Sequence, residues 1–216
     1  TNKKVWKTPL SSDEIRCGMV FTMCVANPTV MFRRSLIEDN QLMLDPKFKI
    51  ASDYEFWARA LEYTKAGNIG EILLRYRVHP QQVSNEARNE LANTRLDVQS
   101  RFLHKIGVSF TEEELYLHNL LCTYDQTDRS GLLPSVESWL LKLLQVNDQN
   151  SIFSKAYFQK EISQRWTDFI FSCHVTCKGL AIVYFSRLKP GGGGSKFKRL
   201  YFLLKWFYRD LKRYIR

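Results

Sequence analysis

Asp53 is the residue of this sequence whose setting best suits catalysis. It directly follows Ser52, and Glu55 stands three residues after that serine. This spacing predicts a capping box in which Ser52 caps a helix running to about Ala66, where Gly67 follows. Asp53 would then lie in the first helical turn, where unpaired N–H groups favour an ionised carboxylate that can accept a proton from a substrate hydroxyl. Acidic residues in a first turn are, however, often only stabilising.

The histidines and one cysteine-containing cluster are weaker candidates for a catalytic or metal-binding role. His79 precedes Pro80 at the end of a predicted strand, where an imidazole could bind metal or phosphate, although a lone histidine is more often a surface residue. Cys173, His174 and Cys177 provide too few ligands for zinc and are better explained as packed residues. The sequence has no glycine-rich phosphate loop, nucleophile elbow or His-Glu-x-x-His motif.

The elements that would position these residues divide the chain into two parts. The first part is rich in β-forming residues, with strands or extended segments predicted at 29–33, 42–48 and 69–78. The second part has helical periodicity at 86–106, 111–123, 134–147 and 154–185. We therefore expect an α/β domain followed by an α-helical extension.

Composition and charge exclude several classes of protein. The 216 residues, 44% hydrophobic and 13% aromatic, exclude global disorder. Five irregularly spaced cysteines and no signal-like N-terminal segment indicate reduced thiols in the cytoplasm. The formal net charge is +10, but eight basic residues and one acid between 196 and 216 contribute +7 of it. A nearly balanced body argues against nucleic acid as the partner.

The basic C-terminal segment follows a glycine-rich linker at 189–195, which looks engineered. Wound as a helix, residues 196–216 separate into an apolar face and a Lys/Arg face, which is typical of a helix lying on an anionic membrane. A helix docked on the body and a basic nucleic-acid arm are the alternatives. The residues expected at the membrane are Lys198, Arg199, Leu203, Leu204, Lys205, Trp206, Phe207, Arg209, Leu211, Lys212 and Arg213.

Three blocks in order resemble the acceptor-side half of family 2 glycosyltransferases of the GT-A fold. They are Asn27-Pro28-Thr29-Val30-Met31-Phe32-Arg33, then Ser52-Asp53-Tyr54-Glu55-Phe56-Trp57-Ala58-Arg59, then Leu74-Arg75-Tyr76-Arg77-Val78-His79 with Ser84 following. The match covers about residues 15–85. The helical segment 86–188 is more loosely similar to the C-terminal extension of bacterial members that build surface polysaccharides.

The resemblance implies a role for three residues. Asp53 would be the general base that takes the proton of the acceptor hydroxyl while a nucleotide diphosphate leaves from the opposite face, which gives inversion at the anomeric carbon. His79 would lie near the donor diphosphate and its Mn²⁺ or Mg²⁺ ion, and Arg77 would help neutralise the diphosphate. Many relatives carry a second acid directly before the base, whereas this chain has Ser52 there.

The resemblance also defines what the sequence does not contain. The family's nucleotide-binding half and its Asp-x-Asp metal motif have no counterpart in these residues. We therefore expect 1–86 to be the acceptor-side part of a GT-A domain and 87–188 a helical extension, with the chain inactive alone. The expected function is transfer from a nucleotide sugar to a glycan or lipid-linked acceptor, in bacterial surface polysaccharide synthesis at the inner membrane face. The alternative is a non-catalytic membrane-surface adaptor that binds a partner.

Overall fold

The computed structural model describes residues 5–77, 79, 88–122, 129–173, 182–188, 204 and 208. These residues form two compact units, Thr1–Gly107 and Val108–Arg216. The α-helices are α1 (Ser12–Gly18), α2 (Arg34–Asp39), α3 (Ser52–Ala60), α4 (Arg88–Lys105), α5 (Glu112–Cys122), α6 (Leu133–Asn150) and α7 (Lys155–Ser172). Short 3₁₀ helices span Asn27–Thr29 and Ser130–Leu132.

The predicted α/β, GT-A-like architecture is wrong, because no β-strand occurs in the part of the chain that is described. Pro28 lies in the first turn of a 3₁₀ helix, and Pro46 lies in a turn, so two of the three β-rich stretches are interrupted locally. Residues 69–77 are exposed and lie outside helices, without a neighbouring strand. A β-forming composition does not make a strand unless a second segment supplies the hydrogen-bond ladder.

The first unit is built around α3. A capping box begins α1, near the N-terminal end of this unit. The Ser11 side chain accepts from the Glu14 amide, and the Glu14 side chain accepts from the Ser11 amide. The core combines residues of α1, α3 and α4 with the segments between them. It is formed by Ile15, Met19, Cys24, Leu42, Phe48, Tyr54, Phe56, Trp57, Ala58, Ala60, Leu61 and Val98.

The second unit is a helical bundle, as the apolar periodicity predicts. Helix α7 packs along α6, and α5 contacts both. Fully buried side chains close the interior, among them Trp139, Leu140, Leu143, Phe158, Ile162 and Trp166. The predicted helices at 111–123 and 134–147 are confirmed, whereas the predicted helix 154–185 ends at Ser172.

Polar side chains hold the ends of this bundle in place. Asn147 donates to the Phe153 carbonyl (3.2 Å) and accepts from the Phe153 amide (2.8 Å), which closes the loop between α6 and α7. Glu137 accepts from the Ser186 hydroxyl (2.9 Å) and the Arg187 amide (2.7 Å). These contacts fix residues 186–188 against α6.

Candidate active site

The start of α3 differs from the predicted capping box. Ala51, in a left-handed conformation with φ of 55°, precedes the helix, and its carbonyl accepts from the amides of Tyr54 and Glu55. Ser52 is therefore the first helical residue, and no side chain caps the helix. Ser52 cannot act as the predicted cap because the turn begins one residue earlier. The helix also ends at Ala60 rather than near Ala66.

Asp53 nevertheless occupies the first turn of α3, as the sequence predicts. Its side chain is half-buried, and its Oδ1 accepts from the Tyr54 amide at 2.9 Å. It forms no salt bridge within the described residues. A carboxylate that is partly exposed and unpaired with a cation retains oxygen lone pairs for an incoming hydroxyl.

Aromatic residues anchor the helix that carries Asp53. The Tyr54 hydroxyl donates to the Met19 carbonyl at 2.7 Å, and Trp57 Nε1 donates to Asn27 Oδ1 at 3.0 Å. The Phe32 ring packs edge-on against Trp57, with centroids 5.7 Å apart. Trp57 is four residues after Asp53 and so lies on the same side of the helix. The first and second resemblance blocks therefore form one packed structure, which sequence spacing alone did not show.

Glu55 is the buried acid of this helix. Its side chain is 7% exposed and accepts from Arg59 Nε (2.6 Å) and Nη2 (2.8 Å). Arg59 also donates to the Met43 carbonyl at 2.6 Å, and its hydrogen bond to Glu55 raises the pKa of the guanidinium. The capping role predicted for Glu55 is therefore wrong, and the Glu–Arg spacing of four residues is the sequence signal for this pair.

Arg77 and His79, the two residues expected near a donor diphosphate, are both exposed. Val78, which lies between them, is outside the described residues. The structure therefore leaves their predicted role untested.

No group of three or more His, Cys, Asp or Glu side chains in the described ranges is arranged to hold a metal ion. Cys173 is buried, in line with a packed thiol, while His174 and Cys177 lie outside the described residues. His118 is fully buried and accepts from Trp139 Nε1 through its Nδ1 at 3.3 Å. His118 therefore has a packing role in the second unit.

The predicted membrane residues lie outside the described residues, with the exception of Leu204. Leu204 and Tyr208 are helical, and their side chains are 58% and 59% exposed. Within the described ranges, none of the helices combines the length and apolarity needed to cross a membrane.

The chain is similar to a protein of Haemophilus influenzae strain Rd that is named an uncharacterized glycosyltransferase. The two are 26% identical over 160 residues, which are 72% of this chain and 48% of the relative. The chain thus spans about half the length of the curated relative it matches. No family model and no solved structure matches the chain. The relative's name agrees with the coarse prediction of a glycosyltransferase and leaves family, stereochemistry, donor and acceptor open.

Proposed function

We propose that this chain is the acceptor-side portion of a glycosyltransferase in which Asp53 is the general base. The observation that carries the proposal is the carboxylate of Asp53: half-buried in the first turn of an anchored helix and without a salt bridge among the described residues. The similarity to the Haemophilus protein and the three sequence blocks that resemble family 2 enzymes support the same reading.

The proposed reaction is a single displacement with inversion. The acceptor hydroxyl oxygen bonds to the anomeric carbon of the nucleotide sugar, and its proton passes to Asp53. The bond between that carbon and the diphosphate oxygen breaks on the opposite face, and the nucleotide diphosphate carries the electron pair away. Helix α3 supplies a fixed orientation, because Tyr54 and Trp57 tie the turn that bears Asp53 to the core.

Arg77 and His79 are the residues of this chain that we propose for the donor diphosphate. Arginine suits the geometry of phosphate oxygens, and imidazole suits either phosphate or a metal. A Mn²⁺ or Mg²⁺ ion would neutralise the leaving diphosphate, but the described residues include no set of ligands that fits such an ion.

The base assignment is tested by Asp53→Asn in the enzyme assembled with its nucleotide-binding part. Asparagine keeps an acceptor for the Tyr54 amide but cannot take a proton, so we expect turnover to fall at least about a hundredfold while donor affinity is unchanged. Asp39→Asn, at an exposed aspartate ending α2, is the matched control. Full activity of Asp53→Asn would refute the assignment.

We propose further that residues 196–216 hold the enzyme on the inner face of the membrane, next to a lipid-linked acceptor. The exposed side chains of Leu204 and Tyr208 and the +7 charge of the segment support this. Co-sedimentation with phosphatidylcholine vesicles, with and without phosphatidylserine, tests it. Leu204→Asp should reduce binding severalfold, whereas equal binding to both vesicle types would contradict the anionic preference.

A further inference from the structure

The first unit carries an exposed apolar surface formed by residues 5–10 and 69–76, which lie side by side. The rings of Trp6 and Tyr76 pack with centroids 5.2 Å apart and join the two segments. Six large apolar side chains of this surface are between 43 and 72% exposed: Trp6, Leu10, Ile72, Leu73, Leu74 and Tyr76. A contiguous exposed patch of this kind marks an interaction site.

Asn68 fixes the apolar surface to the rest of the unit. Its backbone amide donates to the Leu10 carbonyl at 3.1 Å, and its side-chain amide donates to the carbonyls of Pro9 (2.6 Å) and Cys24 (2.9 Å). Pro9 and Leu10 come directly before Ser11, which caps α1. Because the surface is held in place before a partner binds, little ordering is needed on binding.

The exposure of the segment at 69–76 favours a folded protein as the partner. Ile72, Leu73 and Leu74 are consecutive and all exposed, although consecutive side chains point about 100–180° apart in regular backbone conformations. A flat membrane surface would cover only one side of such a segment. The backbone of residues 72–77 also makes no hydrogen bond within the described part of the chain, and lipid offers none. A protein surface can supply apolar contacts and hydrogen bonds together.

Arg77 and His79, at the end of this segment, indicate which protein binds. In the proposed function, on which this docking site rests, these two residues face the donor diphosphate. Arg77 is four residues after Leu73, so their Cα atoms are at most about 14 Å apart. A folded body of 100 residues has a radius of gyration of about 13 Å. A body that holds a nucleotide sugar against Arg77 is therefore wide enough to cover Leu73 as well.

We propose that the nucleotide-binding part of the enzyme docks on this apolar surface and encloses residues 71–75. This chain spans about half of the relative it matches, so an enzyme of the relative's length has a further stretch of comparable size to cover the surface. A second copy of this chain seated here would occupy the space beside Arg77 and His79 that the donor needs.

The anchor of the docking surface also supports the helix that bears Asp53. Asn68 donates to the Cys24 carbonyl, and the Tyr54 hydroxyl donates to the Met19 carbonyl, five residues earlier in the chain. The Cys24 amide in turn donates to the Met19 sulfur at 3.3 Å. Docking on this surface would therefore fix the donor relative to the proposed base through one short, buried stretch of the first unit.

Hydrogen–deuterium exchange tests the docking site on this chain alone and on the enzyme assembled with its nucleotide-binding part. Amides of residues 71–75 should exchange at least about tenfold more slowly in the assembled enzyme. Leu73→Asp and Ile72→Asp each place a charge in the covered surface and should return exchange to near the rate of the chain alone. Met43→Asp is the matched control, because Met43 is 77% exposed on another segment, and it should keep the protection.

Several outcomes would overturn the docking site. Equal exchange of residues 71–75 in the chain alone and in the assembled enzyme is one, and protection that both aspartate variants retain is another. Protection of the chain alone that increases with its concentration would assign the surface to a second copy instead. The proposed base fails separately: a fully active Asp53→Asn enzyme with residues 71–75 protected would refute the base and leave the docking site standing.

Discussion

Glu55 and Arg59 form a partly buried ion pair on the helix that bears the proposed base. Removing Arg59 leaves a carboxylate that is 7% exposed without its cation. We expect Arg59→Met to lower the free energy of unfolding by about 2–3 kcal/mol, less than for a fully buried pair because Arg59 is itself partly exposed. Methionine keeps an unbranched side chain of similar length but loses the charge that Arg59 places over the Phe56 ring, 5.9 Å from its centroid.

Urea denaturation measures this effect, and the chain contains its own control. Arg34 and Glu38 have the same spacing on α2, but their side chains are 88% and 55% exposed. Arg34→Met should therefore cost less than about 0.5 kcal/mol. Equal losses in the two variants would mean that the burial of Glu55 contributes nothing.

Asp168 on α7 should make the second unit sensitive to pH. Burial raises the pKa of this carboxyl, and the hydrogen bond from Gln164 partly opposes the shift. The folded state therefore holds the proton more tightly than the unfolded state. The contribution of this carboxyl to the free energy of unfolding is complete below the unfolded pKa of about 3.9. It is lost as pH rises through the raised pKa. Asp168→Asn keeps an acceptor for Gln164 and removes the ionisation.

The asparagine variant should accordingly have a higher Tm than the wild type at about pH 7 and the same Tm at about pH 3. The gain in the free energy of unfolding at neutral pH should stay below about 0.5 kcal/mol, because the Asp168 side chain is only half-buried. Thermal unfolding followed by circular dichroism at the two pH values measures it. A lower Tm at neutral pH would show that the Arg165 attraction outweighs the cost of burial.

At the scale of elements, helices could be predicted from the sequence and strands could not. The apolar residues of α6 recur at helical spacing, and that pattern depends only on the helix itself. Residues 69–77 satisfy the composition of a strand, but a strand also needs a neighbour, which no local pattern specifies. For the same reason the position of Asp53 could be predicted, whereas the hydrogen bond between Trp57 and Asn27, thirty residues apart, could not.

The loop between α6 and α7 depends on one buried amide. Asn147 is 5% exposed, and its side chain makes two hydrogen bonds to the backbone of Phe153. Asn147→Ala removes both hydrogen bonds between this side chain and the buried backbone of Phe153, so we expect a loss of about 2 kcal/mol in urea denaturation. Asn150→Ala, at an exposed position on the same helix, should be nearly neutral. A neutral Asn147→Ala would show that the amide is dispensable for closing the loop.

At the scale of the whole molecule, the two compact units imply two separate centres of stability. Arg59→Met and Asn147→Ala alter different units and share no partner. Their effects on unfolding should therefore add within about 0.5 kcal/mol in the double variant. Hydrogen–deuterium exchange should also separate them: Arg59→Met should accelerate exchange in α3 and leave α6 unchanged, and Asn147→Ala should do the reverse. If either variant accelerated exchange in both helices equally, the units would unfold as one cooperative body.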